Sequence, residues 1–212
     1  MEFERPYFER EYRDYDRQNP PRKLAFYRRL AERAAGSKEK PRILDIGCAF
    51  GHFLASLDRR WLRFGVDASQ YAIEQARMRL PDARFAVTQS SCVPFDGQFE
   101  IITAFDVLEH LQDLDATLGM MADKLAPGGG LILVVPVYDG PTGPMVRVLD
   151  RDPTHIHKEA REFWIEWPER HFDLRDWWGI YRYLLPGGYY VHAVTRSLRR
   201  FTPAIACLFQ RR

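Results

Sequence analysis

The stretch from Arg42 to Phe53 constrains this chain more than any other. It reads Arg-Ile-Leu-Asp-Ile-Gly-Cys-Ala-Phe-Gly-His-Phe. Its first half is a short apolar run bounded by Pro41 and Gly47, which predicts a buried strand. Its second half is a glycine-bearing turn that leads into a helical apolar periodicity. A strand, a glycine turn and a helix in this order bring backbone amides at a helix N-terminus against a ligand.

The spacing of the glycines narrows the class of ligand. A dinucleotide fingerprint requires glycines at positions 47, 49 and 52, but Ala49 and His52 occupy the last two. A phosphate-binding P-loop requires Gly-Lys-Ser/Thr at the helix start, which is absent. Both nucleotide-phosphate motifs are therefore disfavoured.

What remains is an acid, two glycines and a second acid. Asp45 precedes Gly47, and Gly51 closes the turn. Asp67 ends the next predicted strand, twenty residues after Gly47, which is the spacing of a nucleoside-binding βαβ unit. Ligands of open α/β sheets lie outside the carboxyl ends of the strands, so Asp67 can accept hydrogen bonds from both hydroxyls of a ribose.

Leu44-Asp45-Ile46-Gly47-Cys48, followed by Gly51, resembles the first motif of the class I S-adenosylmethionine (SAM)-dependent methyltransferases, usually Leu-Asp-x-Gly-Cys-Gly-x-Gly. Ala49 replaces the second glycine. Later stretches resemble further family motifs in the same order: Gln89-Ser-Ser-Cys-Val-Pro-Phe95, Val107-Leu-Glu-His-Leu111 and Leu125-Ala-Pro-Gly-Gly129. The resemblance covers the chain from Arg42 to Pro136 well and the rest loosely.

The resemblance implies a doubly wound, mostly parallel α/β sheet of seven strands with helices on both faces. We expect a strap and helix in residues 1–40, a SAM-binding half in 41–136, and an acceptor-side loop, aromatic lid and last strands of the same domain in 137–212. Besides the strand at 42–46, the predicted strands are Trp61–Val66, Ala83–Thr88, Phe99–Phe105, Leu131–Val135, Gly179–Leu184 and Ala204–Phe209. Helices are predicted over Lys23–Ala35, from Phe53, and over Ser69–Leu80, Leu114–Leu125 and Glu159–Trp167.

The resemblance also implies SAM as methyl donor, with S-adenosylhomocysteine (SAH) as product. The glycine turn is expected to meet the methionine end, and Asp45 to orient the turn or accept from the amino group. Gln89 stands where the family often has an acid for adenine, so that contact stays open. The expected cofactor-binding residues are Asp45, Gly47, Cys48, Ala49, Gly51, Asp67, Ala68, Ser69, Ser91 and Phe105.

Histidines are the candidates for catalysis. Methyl transfer needs alignment of acceptor, methyl group and sulfur, and a hydroxyl acceptor must also lose its proton. His155 and His157 lie in a loop after the fifth strand, and because they alternate, only one is expected to point inward. His155 is slightly favoured, with Asp152 near enough to orient an imidazole. His110 is a third candidate.

A metal site is a further hypothesis, and not the favoured one. Asp106, Glu109 and His110 resemble the Glu-x-x-Glu-His site of small-RNA 2′-O-methyltransferases and quinone-precursor O-methyltransferases, with another ligand from His155 or His157. Carboxylates and imidazoles would suit Mg²⁺, Mn²⁺ or Zn²⁺.

The absence of one motif narrows the class of methyl acceptor. Enzymes that methylate amines of nucleic-acid bases usually carry Asn/Asp-Pro-Pro-Tyr/Phe after the fourth strand, whereas this chain reads Ala104-Phe-Asp-Val107. We therefore expect O-methylation of a small-molecule or glycan acceptor. The alternatives are a methyltransferase-like SAM-binding domain without catalysis, a metal-assisted 2′-O or catechol-type enzyme, and an NAD-dependent oxidoreductase.

Composition sets the remaining expectations. The length of 212 residues suits one α/β domain, and a net charge of +2 argues against a nucleic-acid partner. No signal segment or membrane-spanning run is evident, and three cysteines lack disulfide or metal spacing, so a cytoplasmic location is expected. Aromatic side chains recur in residues 2–19 and predict a strap or lid over the site: Phe3, Tyr7, Phe8, Tyr12 and Tyr15.

Overall fold

A computed structural model describes residues 5–11, 15–89, 91–150, 152–185 and 189–212. Phe3 and Tyr12 of the predicted strap lie outside these ranges. The helices of the described residues are α1 (Arg5–Glu11), α2 (Tyr15–Gln18), α3 (Pro21–Ala35), α4 (His52–Ser56), α5 (Gln70–Arg79), α6 (Leu114–Lys124), α7 (Gly143–Leu149) and α8 (Arg161–Glu166). Short 3-10 turns cover Leu108–His110, Trp167–Arg170 and Arg199–Phe201.

One mixed sheet organises the chain. Its strands are β1 (Arg42–Ile46), β2 (Leu62–Asp67), β3 (Arg84–Val87), β4 (Phe99–Phe105), β5 (Leu125–Pro136), β6 (Phe172–Leu185), β7 (Tyr189–Thr195) and β8 (Ala204–Arg211). Their order is β3-β2-β1-β4-β5-β8-β6-β7. The first five strands are parallel, and β8, β6 and β7 add antiparallel neighbours. The doubly wound, mostly parallel sheet predicted from the sequence is confirmed.

The sheet has eight strands rather than the seven predicted. The additional strand is β7, which pairs with β6 from Gly179 to Leu185. The neighbour on the other side, β8, pairs with β6 only as far as Ile180. Because β6 runs beyond β8, β7 supplies backbone partners for the last residues of β6.

Two apolar layers cover the faces of the sheet. One contains Trp164, Phe99 and Phe172, and the other contains Tyr27 and Leu54 from α3 and α4. Pro127 and Gly128 near the start of β5 are exposed, but the eight residues from Gly129 to Pro136 are all buried, as expected for a central strand covered on both sides. Burial of both faces fixes the strand register and therefore the edge at which the predicted site residues emerge.

The element boundaries differ from the predictions at a few points. Leu125 belongs to β5 and not to the preceding helix, since β5 begins before the glycines. Helix α3 begins at Pro21 because proline, which lacks an N–H, suits the first turn. The acceptor-side loop predicted after the fifth strand contains helix α7. Gly36 caps the end of α3, and Ser69 caps the start of α5.

None of the described helices is both long enough and apolar enough to cross a membrane.

Candidate cofactor and acceptor site

A cavity of about 540 Å³ opens at the carboxyl ends of β1, β2 and β4. The strand order reverses between β1 and β4, and this reversal creates a crevice at that edge of the sheet. The volume falls within the range of small-molecule sites. Segments from both ends of the chain complete the walls, including α1, α3 and the tip of β6.

The glycine turn forms the floor of this cavity. Gly47 has φ 69°, and a Cβ there would lie 2.6 Å from Cγ2 of Val107, so only glycine fits. Gly51 has φ 72° at the start of α4. Ala49 has φ 44°, a left-handed conformation that is unfavourable for a residue with a side chain. The turn therefore keeps the conformation of a glycine-rich loop although alanine stands at its centre.

Asp67 joins this turn to the end of β2. Its Oδ2 accepts a hydrogen bond from the amide of Ala49 at 2.9 Å, and its Oδ1 accepts from the amide of Ser69 at 2.9 Å. Two amide donors fix the orientation of the carboxylate before any ligand arrives. Because each carboxylate oxygen can accept a second bond, the group is suited to two neighbouring hydroxyls.

Asp45 lies beneath the turn and is 3% exposed. Oγ1 of Thr103 in β4 donates a hydrogen bond to its Oδ1 at 2.6 Å. Burial raises the pKa of Asp45 to about 7; the Thr103 bond opposes that rise and the charge of Asp67 adds to it. A cationic ligand in the cavity would therefore favour the ionised form of Asp45.

Most of the predicted cofactor-binding residues line the cavity, but three do not. Seven of them line it: Asp45, Gly47, Cys48, Ala49, Asp67, Ala68 and Phe105. Gly51 lies behind the turn, and Ser69 is buried, where its hydroxyl accepts from the amide of Ala72. Ser91 is exposed and is not part of the lining, whereas Thr88 is.

The end of β4 carries an ion pair into the cavity. Asp106 has φ 57° and pairs with Arg182 of β6. Burial opposes ionisation of Asp106, but the charges of Arg182 and Lys23 lower its pKa below the usual value. Asp106 was predicted as a metal ligand, but in the structure its carboxylate is already paired with the guanidinium of Arg182.

Main-chain hydrogen bonds hold the acceptor-side loop against the 3-10 turn after β4. The carbonyl oxygen of Glu109 accepts from the amides of Ile156 and His157 at 2.9 and 3.1 Å. These two bonds bring His155 beside His110, with ring centroids 4.6 Å apart. Residues separated by more than forty positions in the sequence thus form one cluster.

His155 lines the cavity and is held by an acid. Its Nδ1 lies 2.9 Å from Oδ1 of Asp150 and 3.1 Å from the hydroxyl of Tyr138. Burial opposes ionisation of Asp150, but hydrogen bonds from Tyr138 and Lys158 and the charge of His155 lower its pKa to about 2. Asp152, the acid expected to orient the ring, is 3.9 Å from Nε2. The orienting acid is Asp150.

The other two histidines differ in their contacts. His110 lines the cavity, and its Nδ1 lies 2.7 Å from the hydroxyl of Thr154. Burial, reinforced by the charge of His155, lowers the pKa of His110 to about 4, so His110 is neutral at pH 7. His157 places its Nε2 2.7 Å from the carbonyl oxygen of Leu111 and is not part of the lining. Only one of the alternating pair points inward, as expected.

Glu109 is the buried member of this cluster. It is 1% exposed, and its Oε2 has no hydrogen-bond partner among the described residues. Burial, with the charge of Asp106, raises the pKa of Glu109 well above its usual value. Ligand atoms of Glu109, His110 and His155 lie within 4.8 Å of one another. Two imidazoles and a carboxylate that lacks a partner fit a divalent cation, with Thr154 and Asp150 bonding the outer ring nitrogens.

Sequence reasoning missed three residues that shape the cavity: Lys23, Asp150 and Arg182. Tyr190, which also lines the cavity, lies in the region predicted to form an aromatic lid. Arg182 could have been identified from the sequence, because it lies among apolar residues of a predicted strand. An arginine that points inward from such a strand must pair with an acid. Lys23 was predicted to begin a helix, but no pattern in the sequence indicated that it lines the cavity.

The amino-terminal segment packs over the turn. Tyr7 and Phe8 of α1 are buried against Ala49 and Ala72, and both line the cavity. The hydroxyl of Tyr7 donates to Oδ2 of Asp152 at 3.1 Å. Asp16 of α2 pairs with His52 and with Arg79. Part of the predicted strap therefore covers the site.

Comparison with known proteins agrees with this geometry. A family model described as a methyltransferase domain matches residues 15–182. The ubiquinone biosynthesis O-methyltransferase of Aromatoleum aromaticum is 32% identical over 105 residues, which cover 46% of this chain and 44% of that protein. The matched region thus spans less than half of the curated relative.

Two solved structures share the fold at low sequence identity. A SAM-dependent methyltransferase of Thermotoga maritima, described as a possible histamine N-methyltransferase, superposes with a TM-score of 0.71 at 16% identity, covering 97% of this chain and 98% of the other. The N-methyltransferase NodS of Bradyrhizobium japonicum, solved with SAH, gives 0.64 at 19% identity, covering 91% and 89%. The chain belongs to the class I SAM-dependent methyltransferases.

Proposed function

We propose that this enzyme transfers a methyl group from SAM to a hydroxyl oxygen of a small-molecule or glycan acceptor, with His155 as general base. The observation that carries the proposal is the contact between Nδ1 of His155 and Asp150 inside the cavity. An acid on Nδ1 fixes the ring and leaves Nε2 as the nitrogen for the substrate. The same arrangement stabilises the imidazolium formed when the hydroxyl proton is taken.

The transfer step balances with these groups alone. The acceptor oxygen attacks the methyl carbon of SAM as the carbon–sulfur bond breaks, and the acceptor proton moves to Nε2 of His155. SAH leaves as a neutral thioether, so no further leaving group needs protonation. The remaining work is alignment, which the cavity walls supply.

The dimensions of the cavity support a small acceptor. Its volume of about 540 Å³ must hold the cofactor as well as the reacting part of the acceptor. Tyr27, Phe105 and Tyr190 provide aromatic surface near the end of β4. A sugar ring or an aromatic ring can stack on such a surface. If the acceptor is a glycan, only one residue of it would enter.

The test is a screen of hydroxylated small molecules and glycans for SAH release, followed by His155→Ala. We expect turnover to fall by about a hundredfold to ten-thousandfold while SAM affinity is retained. His157→Ala is the matched control, because His157 braces the same loop but does not line the cavity. Full turnover of the His155 variant from pH 6 to 9 would overturn the assignment.

A second candidate is a metal-assisted O-methyltransferase. The partnerless Oε2 of buried Glu109 beside His110 and His155 favours it. A divalent cation there would lower the pKa of an acceptor hydroxyl and help to position it. His155 would then act as a ligand and not as the base.

Chelation distinguishes the two candidates. The metal-assisted reaction should stop in chelator and recover with one of Mg²⁺, Mn²⁺ or Zn²⁺, and Glu109→Gln should abolish the recovery. The general-base reaction should proceed unchanged in chelator. SAM binding without SAH release from any acceptor would instead favour a cofactor-binding domain without catalysis.

A further inference from the structure

We propose that Lys23 anchors the carboxylate of the cofactor's methionine arm. The inference concerns the cofactor and holds whichever acceptor is methylated. It rests on the burial of Lys23, on its place in the cavity and on the charges around it.

Lys23 is a buried cation without a salt-bridge partner among the described residues, and Asp106, the acid whose charge acts on it, is already paired with Arg182. Lys23 lies in the first turns of α3, is 8% exposed, and lines the cavity. Its ammonium group donates to the carbonyl oxygen of Gln18 at 3.3 Å, and no carboxylate of the described residues lies within 4 Å of it. Removing a lysine from water without a counterion is unfavourable unless a ligand supplies the charge.

Lys23 lies above the part of the cavity where the methionine arm must end. Its ammonium is 5.7 Å from the ring centroid of Tyr27, and Tyr27 stacks on Phe105 at 4.2 Å. Phe105 ends β4, the neighbour of β1, from which the glycine turn emerges. With the ribose at Asp67 on β2, the arm crosses the turn at β1 and arrives beneath Lys23.

Charge matching selects the carboxylate as the partner. SAM carries a sulfonium, an ammonium and one carboxylate. The lysine and arginine side chains of the described lining are Lys23 and Arg182, and Arg182 is already paired with Asp106. Lys23 is therefore the cation left for the single anionic group of the cofactor.

Calorimetry with three probes tests this assignment. SAH contains the complete arm, decarboxylated SAM keeps the ammonium but lacks the carboxylate, and 5′-methylthioadenosine lacks the arm. We expect Lys23→Met to weaken SAH binding by about ten- to hundredfold, the range of a charge-assisted hydrogen bond. Its affinity for decarboxylated SAM and for 5′-methylthioadenosine should match that of the wild type. Lys40→Met, at an exposed site, is the control for loss of a lysine.

Three outcomes would overturn the assignment. Equal SAH affinity of Lys23→Met and wild type would show that the lysine does not contact the arm. Equal losses for SAH and decarboxylated SAM would place the lysine elsewhere on the ligand. A rise in acceptor KM with unchanged SAH affinity would assign Lys23 to an anionic acceptor instead.

Proton uptake by the wild type decides the matter if the variant does not fold. Burial lowers the pKa of Lys23 to about 8, and a bound carboxylate would raise it again. SAH binding at pH 8.5 should then take up protons, and decarboxylated SAM should take up fewer. The ionisable groups facing Lys23 are Tyr27, His52, Asp106, Arg182, Tyr190 and His192. Equal uptake for both ligands would overturn the proposal.

Discussion

The amide of Ala49 donates a hydrogen bond to Oδ2 of Asp67 at 2.9 Å, and this bond ties the glycine turn to the neighbouring strand. Ala49 itself has a left-handed backbone, with φ 44°. The carboxylate proposed to hold the ribose therefore also fixes the turn that is expected to meet the methionine end. If the cofactor lies as proposed, the binding of both its ribose and its methionine arm depends on Asp67.

Asp67→Ala should consequently weaken SAM and SAH binding by roughly a hundredfold or more, because two charge-assisted bonds to hydroxyls are lost. Isothermal calorimetry measures the change. Asp58→Ala removes an exposed acid and should leave the affinity unchanged. An Asp67 variant with wild-type affinity would contradict the proposed ribose contact.

Ala49→Gly should stabilise the protein by about 0.5–1 kcal/mol. Relief of the left-handed conformation contributes about 1–2 kcal/mol, and the greater freedom of glycine in the unfolded chain offsets part of it. Urea unfolding gives the free energy of unfolding. Ala55→Gly, in the last turn of α4 and with ordinary φ, should instead destabilise by about 0.5–1 kcal/mol. Equal destabilisation by both changes would refute the argument.

Asp150→Asn should lower turnover by about tenfold or more without changing SAH affinity. Asparagine keeps the shape but loses the charge that stabilises the imidazolium of His155. Because Asp150 acts through His155, kcat should fall while acceptor KM changes little, and Asp150→Glu should restore part of the rate. Asp152→Asn should lower kcat less than Asp150→Asn does. If Asp152→Asn had the larger effect, Asp152 and not Asp150 would be the acid that orients His155.

The stability of the ligand-free protein should fall as pH rises from about 4 to 7 through Asp45. Burial raises the folded-state pKa of Asp45 to about 7, so the folded state binds more protons than the unfolded state in this window. The slope for one group is at most about 1.4 kcal/mol per pH unit. Urea unfolding measures how much the free energy of unfolding falls from pH 5 to pH 7. This fall should be smaller in Asp45→Asn than in the wild type, and an equal fall in both would contradict the assignment to Asp45.

The sequence predicts the cofactor half well because its signals are local. Gly47 is required by a turn that spans five residues, and Ser69 caps the helix that follows it directly. Asp67 is placed by strand length alone, since parallel strands end at one edge. None of these predictions depends on contacts between distant segments.

The acceptor half depends on such contacts, and there the sequence is less informative. Whether Asp150 or Asp152 meets His155 is decided by the loop conformation that the carbonyl of Glu109 imposes. Lys23 precedes β1 by nearly twenty residues, and only the packing of α3 brings it to the cavity. No periodicity in the sequence predicts the contact between Asp150 and His155 or the position of Lys23 at the cavity.

The antiparallel pairing of β8 has a practical consequence for attaching the protein to surfaces and labels. Ala204 pairs with Pro136 at the cavity edge, whereas Gln210 pairs with Gly130 at the opposite edge. Helix α1, in contrast, contributes Tyr7 and Phe8 to the cavity wall. A fluorophore or immobilising tag joined to the end of β8 is therefore expected to leave the cofactor entrance clear, while the same group attached to a side chain of α1 would lie beside it.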